Sequence, residues 1–263
     1  MKEFSGLNII PVVLLKEYEE QFGTVITEAV KELGNKKSDL TPDSFSFYSS
    51  VASVFSSKIE KEDIELDSYL KHKFLSVGYT ADYTKKPDDL FEAYVYASQN
   101  RLTEETLFQS HKILSTHLMK EQFRGAIRKG LMYVLDNDGR IEYVAAEASV
   151  VETEMNKFFA DLKTLSQMKM SVPRAVYFAS MLHLVFLKIH PFADGNGRTS
   201  RLLEKWFLAE VIGKEYWNLE SEKFYYENLT EYYRSIRVCG AEYTDLDYSK
   251  AGPFLKMLVN SIK

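Results

Sequence analysis

The chain has 263 residues, 45% hydrophobic and 27% charged, which is enough apolar mass for a sizeable core without covalent staples. A formal net charge of −5 points away from nucleic acid and from an anionic membrane surface, so any anion site must be local. The single cysteine, Cys239, excludes an internal disulfide and fits a reducing compartment. The opening run "IIPVVLL" is short and broken by Pro11, so no leader is read and a cytoplasmic location is expected.

Helical periodicity dominates, with no repeat and no low-complexity tract. In "DSFSFYSSVASVFSSKIEK" the residues Phe47, Tyr48, Val51, Val54, Phe55 and Ile59 recur at three and four. Pro42 precedes Asp43 or Ser44 as the expected cap. Polar and turn residues gather in "SVGYTADYTKKPDDL", residues 76–90, and mark an expected boundary. Thr103 is read as the cap of a helix through "TEETLFQSHKILSTHLMKEQF". "GLMYVLDNDGRIEYVAAE" departs from the pattern: two short β-prone runs flank an Asp-Gly turn signal, so one hairpin is expected. "SVVETEMNKFFADLKTLSQM" then reads as a helix burying Val150, Met155, Phe158, Phe159 and Leu162. The run "AVYFASMLHLVFLKIHPF" falls short of a membrane span, carries His183 and Lys188, and reads as a buried helix with Pro173 in its first turn. The fold class is thus all-α with one hairpin.

That helix runs into "HPFADGNGRTSR", residues 190–201, which no core requires. Pro191 disfavours helical geometry at His190, and a second helix is expected from "RTSRLLEKWFLAEVIG". Gly195, Asn196 and Gly197 then stand just before a helix N-terminus, where free N–H groups and the dipole favour an anion and glycine permits close approach. Arg198 and Arg201, three apart, share a face and can fork onto phosphate oxygens. Asp194 is placed to hold a phosphate-bound Mg²⁺, and His190 to act as a general base. Taken singly, a capping histidine, a Gly-Asn-Gly turn and a solvated arginine pair are all ordinary. Together they make a phosphoryl or nucleotidyl transfer site. His190 and Asp194 also match half of a zinc site, but His72, His111, His117 and His183 are scattered and supply no second half.

The stretch resembles the signature of the Fic (Fido) family, His-Pro-Phe-x-Asp/Glu-Gly-Asn-Gly-Arg-x-x-Arg, and fills every specified position from His190 to Arg201. The likeness extends over residues 107–249, with "EQFR", the hairpin "flap" and "FYYENLTEYYRSI". It implies a helical domain over 107–249, an N-terminal helical region over 1–100 and a C-terminal tail over 250–263. It also implies transfer of AMP from ATP to a Ser, Thr or Tyr hydroxyl of a protein, the target being another protein or the chain itself. By that likeness His190 deprotonates the hydroxyl and Asp194 binds Mg²⁺. Asn196 with the Gly195–Gly197 backbone holds the α-phosphate, Arg198 the β-phosphate and Arg201 the γ-phosphate. Phe192 anchors the loop, Tyr233 lines the adenine pocket, and the hairpin near Leu131 and Met132 takes the target chain as an added strand. Ala145 and Ala146 stand where many relatives have Pro-Pro, and the turn "LDNDGR" looks longer than usual.

Fic proteins often carry an inhibitory helix reading Ser/Thr-x-x-x-Glu-Gly/Asn. "SSKIE" matches with Ser56 and Glu60, on a helix expected over 44–60, although Lys61 follows where Gly or Asn is usual. The likeness implies that Glu60 pairs with Arg201 and excludes the γ-phosphate. An autoinhibited adenylyltransferase is therefore the leading expectation. The alternatives are removal of AMP or transfer of another phosphate-containing group on the same fold, or an idle nucleotide-binding regulatory module. The expected partners are ATP and a target protein, with no nucleic acid and no membrane, and homo-oligomerisation left open.

Overall fold

The computed structural model describes residues 4–36, 41–135 and 138–262. Among these, eleven α-helices, one hairpin and a few short 3-10 turns account for the regular structure, as the all-α reading expects. The helices are α1 (Leu15–Lys36), α2 (Pro42–Ile59), α3 (Leu66–Leu75), α4 (Ala81–Gln99) and α5 (Glu104–Leu114). After the strands β1 (Tyr133–Leu135) and β2 (Ile141–Val144) come α6 (Ala148–Gln167), α7 (Val172–Ile189), α8 (Asn196–Val211), α9 (Ser221–Glu227), α10 (Leu229–Arg237) and α11 (Gly252–Ile262).

Helix α7 is apolar on all sides, and a helix without a polar face must be surrounded. Every residue from Ala175 to Phe186 is buried, with α1, α6, α8 and α11 packed around it. By length and composition α7 reaches the lower limit of a membrane span, contrary to the sequence reading, but 83% of it is buried inside the protein. It is a core helix. Phe192, just past its end, joins the same cluster through Phe108 and Phe186, which fixes the loop that follows.

Several boundaries differ from expectation for local physical reasons. Thr41, not Asp43 or Ser44, caps α2, through a reciprocal pair of bonds with Ser44. Thr103 caps α5 as expected, but α5 stops at Leu114. On α6, Met155, Phe158, Phe159 and Leu162 are buried as expected, but at its start Val150 is 39% exposed and Val151 is buried in its place. On α2, Phe47 is exposed, and the buried face is instead rich in serine: Ser49, Ser50, Ser53, Ser56 and Ser57. Ser50 and Ser53 donate back to the carbonyls of Ser46 and Ser49, which satisfies those hydroxyls and lets α2 approach its neighbours closely.

The expected boundary at 76–90 is mostly helix. Its polar residues are partners rather than linker: Asp88 accepts from Tyr69, and Asp89 accepts from the His117 backbone N–H. The N-terminal region shares the core of the rest. Asp161 of α6 accepts the backbone N–H groups of Asn8, Ile9 and Ile10, and Tyr177 of α7 donates to the Pro11 carbonyl. The segment read as a tail holds α11, whose Phe254, Leu255, Leu258 and Ile262 are buried.

The hairpin forms as expected. Tyr133 pairs with Val144 and Val134 with Tyr143 in antiparallel register, with an irregularity before Leu135. Gly139 takes φ +76° in the turn, where only glycine sits without strain. Of "DNDG", Asp136 and Asn137 lie outside the described residues.

Candidate active site

The chain leaves α7 at His190, which adopts the left-handed conformation (φ 55°, ψ 58°) as the C-cap. A non-glycine residue there is strained and is held by its surroundings. Buried Arg128 provides the hold. Its Nε donates to the His190 carbonyl at 2.7 Å and its other nitrogens to the carbonyls of Ala146, Ile189 and Gly130, while its N–H donates to Pro191. One guanidinium thus satisfies the end of α7 and ties it to both roots of the hairpin.

The His190 ring follows from this placement. Its Nδ1 lies 3.1 Å from the Leu187 carbonyl. A carbonyl only accepts, so Nδ1 carries the hydrogen and Nε2 keeps the lone pair in the neutral ring. Burial lowers the imidazole below its ordinary pKa, outweighing the Leu187 hydrogen bond that raises it. A neutral imidazole with an open Nε2 is the form a general base needs.

The loop closes on itself. The Asn196 side chain accepts from the Phe192 N–H at 2.9 Å and donates to the Phe192 carbonyl at 2.8 Å. The Asn196 amide thereby braces the loop, and its backbone N–H stands at the start of α8. Gly195 (φ +78°) is the N-cap of α8, so the N–H groups of Asn196, Gly197 and Arg198 have no intrahelical acceptor. A β-carbon at Gly195 would press on His111 and Leu114. His111 is itself part of the support: it stacks on Phe192 at 3.6 Å, its Nε2–H donates to the Asp194 carbonyl at 3.0 Å, and its Nδ1 accepts from the Gly125 N–H. Burial pushes this histidine down to about 4, so it stays neutral in its role.

The Asp194 carboxylate is exposed and accepts from the Gly195 N–H at 2.6 Å. Among the described residues no cluster of three or more His, Cys, Asp or Glu could cage a metal. A single accessible carboxylate fits Mg²⁺, which keeps waters and takes its remaining ligands from substrate phosphates. It does not fit structural zinc.

Arg201, 1% exposed, is the most fully engaged of the motif residues. Its Nη2 donates to Glu60 Oε1 at 2.7 Å and to the Ser56 carbonyl at 3.1 Å; its Nε donates to Ser56 Oγ at 2.8 Å. Its Nη1 reaches the Tyr232 hydroxyl at 3.5 Å. Behind Tyr232, His183 bridges that hydroxyl (2.9 Å) to Glu204 (2.8 Å), whose second oxygen accepts from Tyr225. Ser56 and Glu60 thus meet Arg201 as the resemblance implies. Burial by itself would raise the Glu60 carboxyl; Arg201 and Arg198 outweigh it and hold it below the usual carboxylate range. Glu60 is ionised at neutral pH.

Lys61 clarifies the departure from the family pattern. It has φ +65°, the Lys61 N–H bonds to Lys58 O, and the Glu62 N–H bonds to Ser57 O. These are the two hydrogen bonds of a Schellman turn, whose left-handed residue is usually glycine or asparagine. Gly or Asn is favoured here for backbone reasons, and lysine adopts the same shape at some strain.

A cavity of about 160 Å³ brings together His190, Gly197, Arg201, Tyr233, Glu142 and Lys188. Tyr233 lines this cavity, and its hydroxyl donates to the Ile59 carbonyl at the end of α2. Val134 and Tyr143 of the hairpin line the same cavity. Leu131 is 69% exposed, and the Met132 carbonyl accepts from the Ala145 N–H, so the Ala-Ala pair still closes the hairpin root. His111, Arg128, Glu62 and Tyr232 were not singled out from sequence; each is defined by partners far along the chain.

Residues 101–208 match the family model described as "Fic/DOC family". The solved structures it resembles include a Fic family protein from Desulfovibrio desulfuricans, with TM-score 0.72, 21% identity, and coverage of 90% of this chain and 71% of that one. A Fic domain containing signaling protein from Bacteroides thetaiotaomicron gives 0.69 at 17% identity, covering 90% and 95%. Fic-1 (residues 134–508) from C. elegans gives 0.66 at 15% identity, covering 95% and 71%. A sequence relative, the ribonucleoside-diphosphate reductase small chain of Ostreid herpesvirus 1, is 29% identical over 115 residues, 41% of this chain and 19% of that protein. The match thus spans about a fifth of that relative's length, and its activity is not carried over. The chain has the fold of these Fic structures, and its residues 101–208 match the Fic/DOC family. Proteins with this domain are typically transferases.

Proposed function

We propose that the protein transfers AMP from ATP to a hydroxyl side chain of a protein, and that Glu60 holds this activity down. The observation that carries the reading is a single cavity in which a neutral histidine base, the open N-terminus of α8 and a buried arginine meet. The target hydroxyl is activated by His190 Nε2, which takes its proton as the oxygen bonds to the α-phosphorus. The bond from that phosphorus to the bridging oxygen breaks, and pyrophosphate leaves. Such a transfer needs positioning and charge neutralisation more than covalent chemistry. The Asn196, Gly197 and Arg198 N–H groups meet the phosphate chain, and Asp194 is the residue that would hold Mg²⁺. When bound, that ion neutralises charge on the phosphates. The outer edge of β1 has no strand partner among the described residues, which suits an extended target segment laid beside the cavity.

The test is incubation of the purified protein and its Glu60→Gly variant with α-labelled ATP and Mg²⁺. Labelled protein, formed faster by the variant, is expected. Absence of label from both, with the chain itself and with lysate proteins as targets, overturns the reading.

A further inference from the structure

Arg201 and Arg198 stand one turn apart on α8 and are both buried, yet their surroundings differ. Arg201 donates to Ser56 twice, to Glu60 and toward Tyr232. Arg198, 3% exposed, has one described acceptor: Nη2 donates to Glu62 Oε1 at 3.1 Å, and its Nε is buried with no hydrogen-bond partner. A guanidinium carries five N–H donors, and leaving them unpaired in the interior is costly. The same Glu62 oxygen accepts from Lys86 Nζ of α4 at 2.7 Å. One oxygen of a carboxylate that is about a quarter exposed (26%) therefore serves two cations and leaves the buried one under-satisfied.

We propose that Lys86 joins Arg198, the arginine that the family likeness sets against the β-phosphate, and that Glu62 masks the pair in the resting protein. A phosphate group fits the pair better than the carboxylate does, because its three acceptor oxygens can serve the orphaned Nε, the Nη groups and Nζ together. The Schellman turn at Lys61 explains how one short segment masks both arginines. Glu60 and Glu62 flank the left-handed residue, and the turn aims one carboxylate at each guanidinium. Inhibition then acts at two positions along the phosphate chain. Glu62 is the weaker mask of the two, since the arginine it covers is the less satisfied. The proposal rests on the nucleotide-transfer reading and assigns Lys86 and Glu62 a part in phosphate recognition.

The experiment is calorimetric titration of the full chain with AMP, ADP, ATP and inorganic pyrophosphate. It compares wild type, Glu60→Gly, Glu62→Gln, the double variant and Glu62→Gln with Lys86→Met, with circular dichroism confirming the fold of each. Glu62→Gln keeps the side chain's shape and removes its charge. It should tighten ADP, ATP and pyrophosphate by about tenfold, the scale of one charge-assisted hydrogen bond, and leave AMP unchanged. Adding Lys86→Met should reverse that gain, which a purely structural tie between α2 and α4 would not do. If Glu60→Gly gains ATP affinity while Glu62→Gln gains nothing for any ligand, the subsite is overturned and the transfer reading stands. If Glu62→Gln gains pyrophosphate but no variant binds a nucleotide, the subsite stands and the transfer reading falls. If no variant binds any of the four, both fall.

Discussion

The carboxylate of Glu60 rests against the Cα of Gly197, in the volume a β-carbon would take. The glycine that opens α8 to an anion is thus already used by one, supplied from the end of α2. Gly197→Ala should lose this contact without gaining activity, because the added methyl crowds a phosphate as it crowds the carboxylate. The overpacking should cost on the order of 1–3 kcal/mol, visible as a lower melting temperature. A Gly197→Ala protein that labels as fast as Glu60→Gly would show that the glycine serves the inhibitor alone.

Glu60→Gly should bind ATP more tightly and label faster than wild type. Removing one partner of a buried pair normally leaves a stranded charge, but here the nucleotide replaces it. Arg201→Ala should abolish the gain when combined with Glu60→Gly, since both act through one contact at 2.7 Å. Gains that persist in the double variant would place the effect elsewhere.

His190→Ala should bind ATP nearly as wild type and lower transfer by about a hundred- to ten-thousand-fold, the usual contribution of a positioned base. Because burial lowers the His190 pKa, the neutral form persists below the usual histidine range. The acid limb of kcat for Glu60→Gly should therefore fall below about pH 6.5. A limb at or above that value would remove His190 as the titrating base.

Asp194→Ala should lose most activity and most of its response to Mg²⁺, because that side chain is the accessible carboxylate beside the open N–H groups of α8. Labelling by the wild type that continues in EDTA would refute the assignment.

His111 gives a pH dependence of stability rather than of activity. Its pKa is about 4 in the folded chain against an ordinary 6.5. Between those values the unfolded chain binds a proton that the folded chain does not. Stability from this group is therefore whole above pH 6.5 and declines as pH falls toward 4, by roughly 3 kcal/mol at most. His111→Gln should flatten the melting temperature over that window relative to wild type. Parallel curves for the two proteins would count against the assignment.

The parts of the site legible in the sequence are those whose chemistry is local. Pro191 after a buried helix, two glycines around Asn196, and arginines three apart each announce their geometry within a few residues. Arg128 and His111 do not: Arg128 caps carbonyls 61 and 62 positions away, and His111 holds a carbonyl 83 positions away. Glu62 reads as one more charge in "EKED" until Arg198, 136 residues on, meets it. The offset at Val150 and Val151 has a different origin. A helix stripe is wide enough that periodicity fixes its presence before its centre. The C-terminal helix is not legible in the sequence because eleven residues carry little periodic signal alone, while α1 and α7 supply the apolar surface that orders them.

Lys61 makes the two masks one mechanical part. Glu60 and Glu62 hang from a single turn closed by two backbone hydrogen bonds, so unwinding that turn withdraws both carboxylates together. Neither arginine then waits for a separate trigger. A disturbance arriving through Lys86 on α4 and one arriving through Tyr233, which holds the Ile59 carbonyl, converge on the same few atoms. On the proposed reading the gate is a toggle, and its threshold is the cost of opening one turn of backbone.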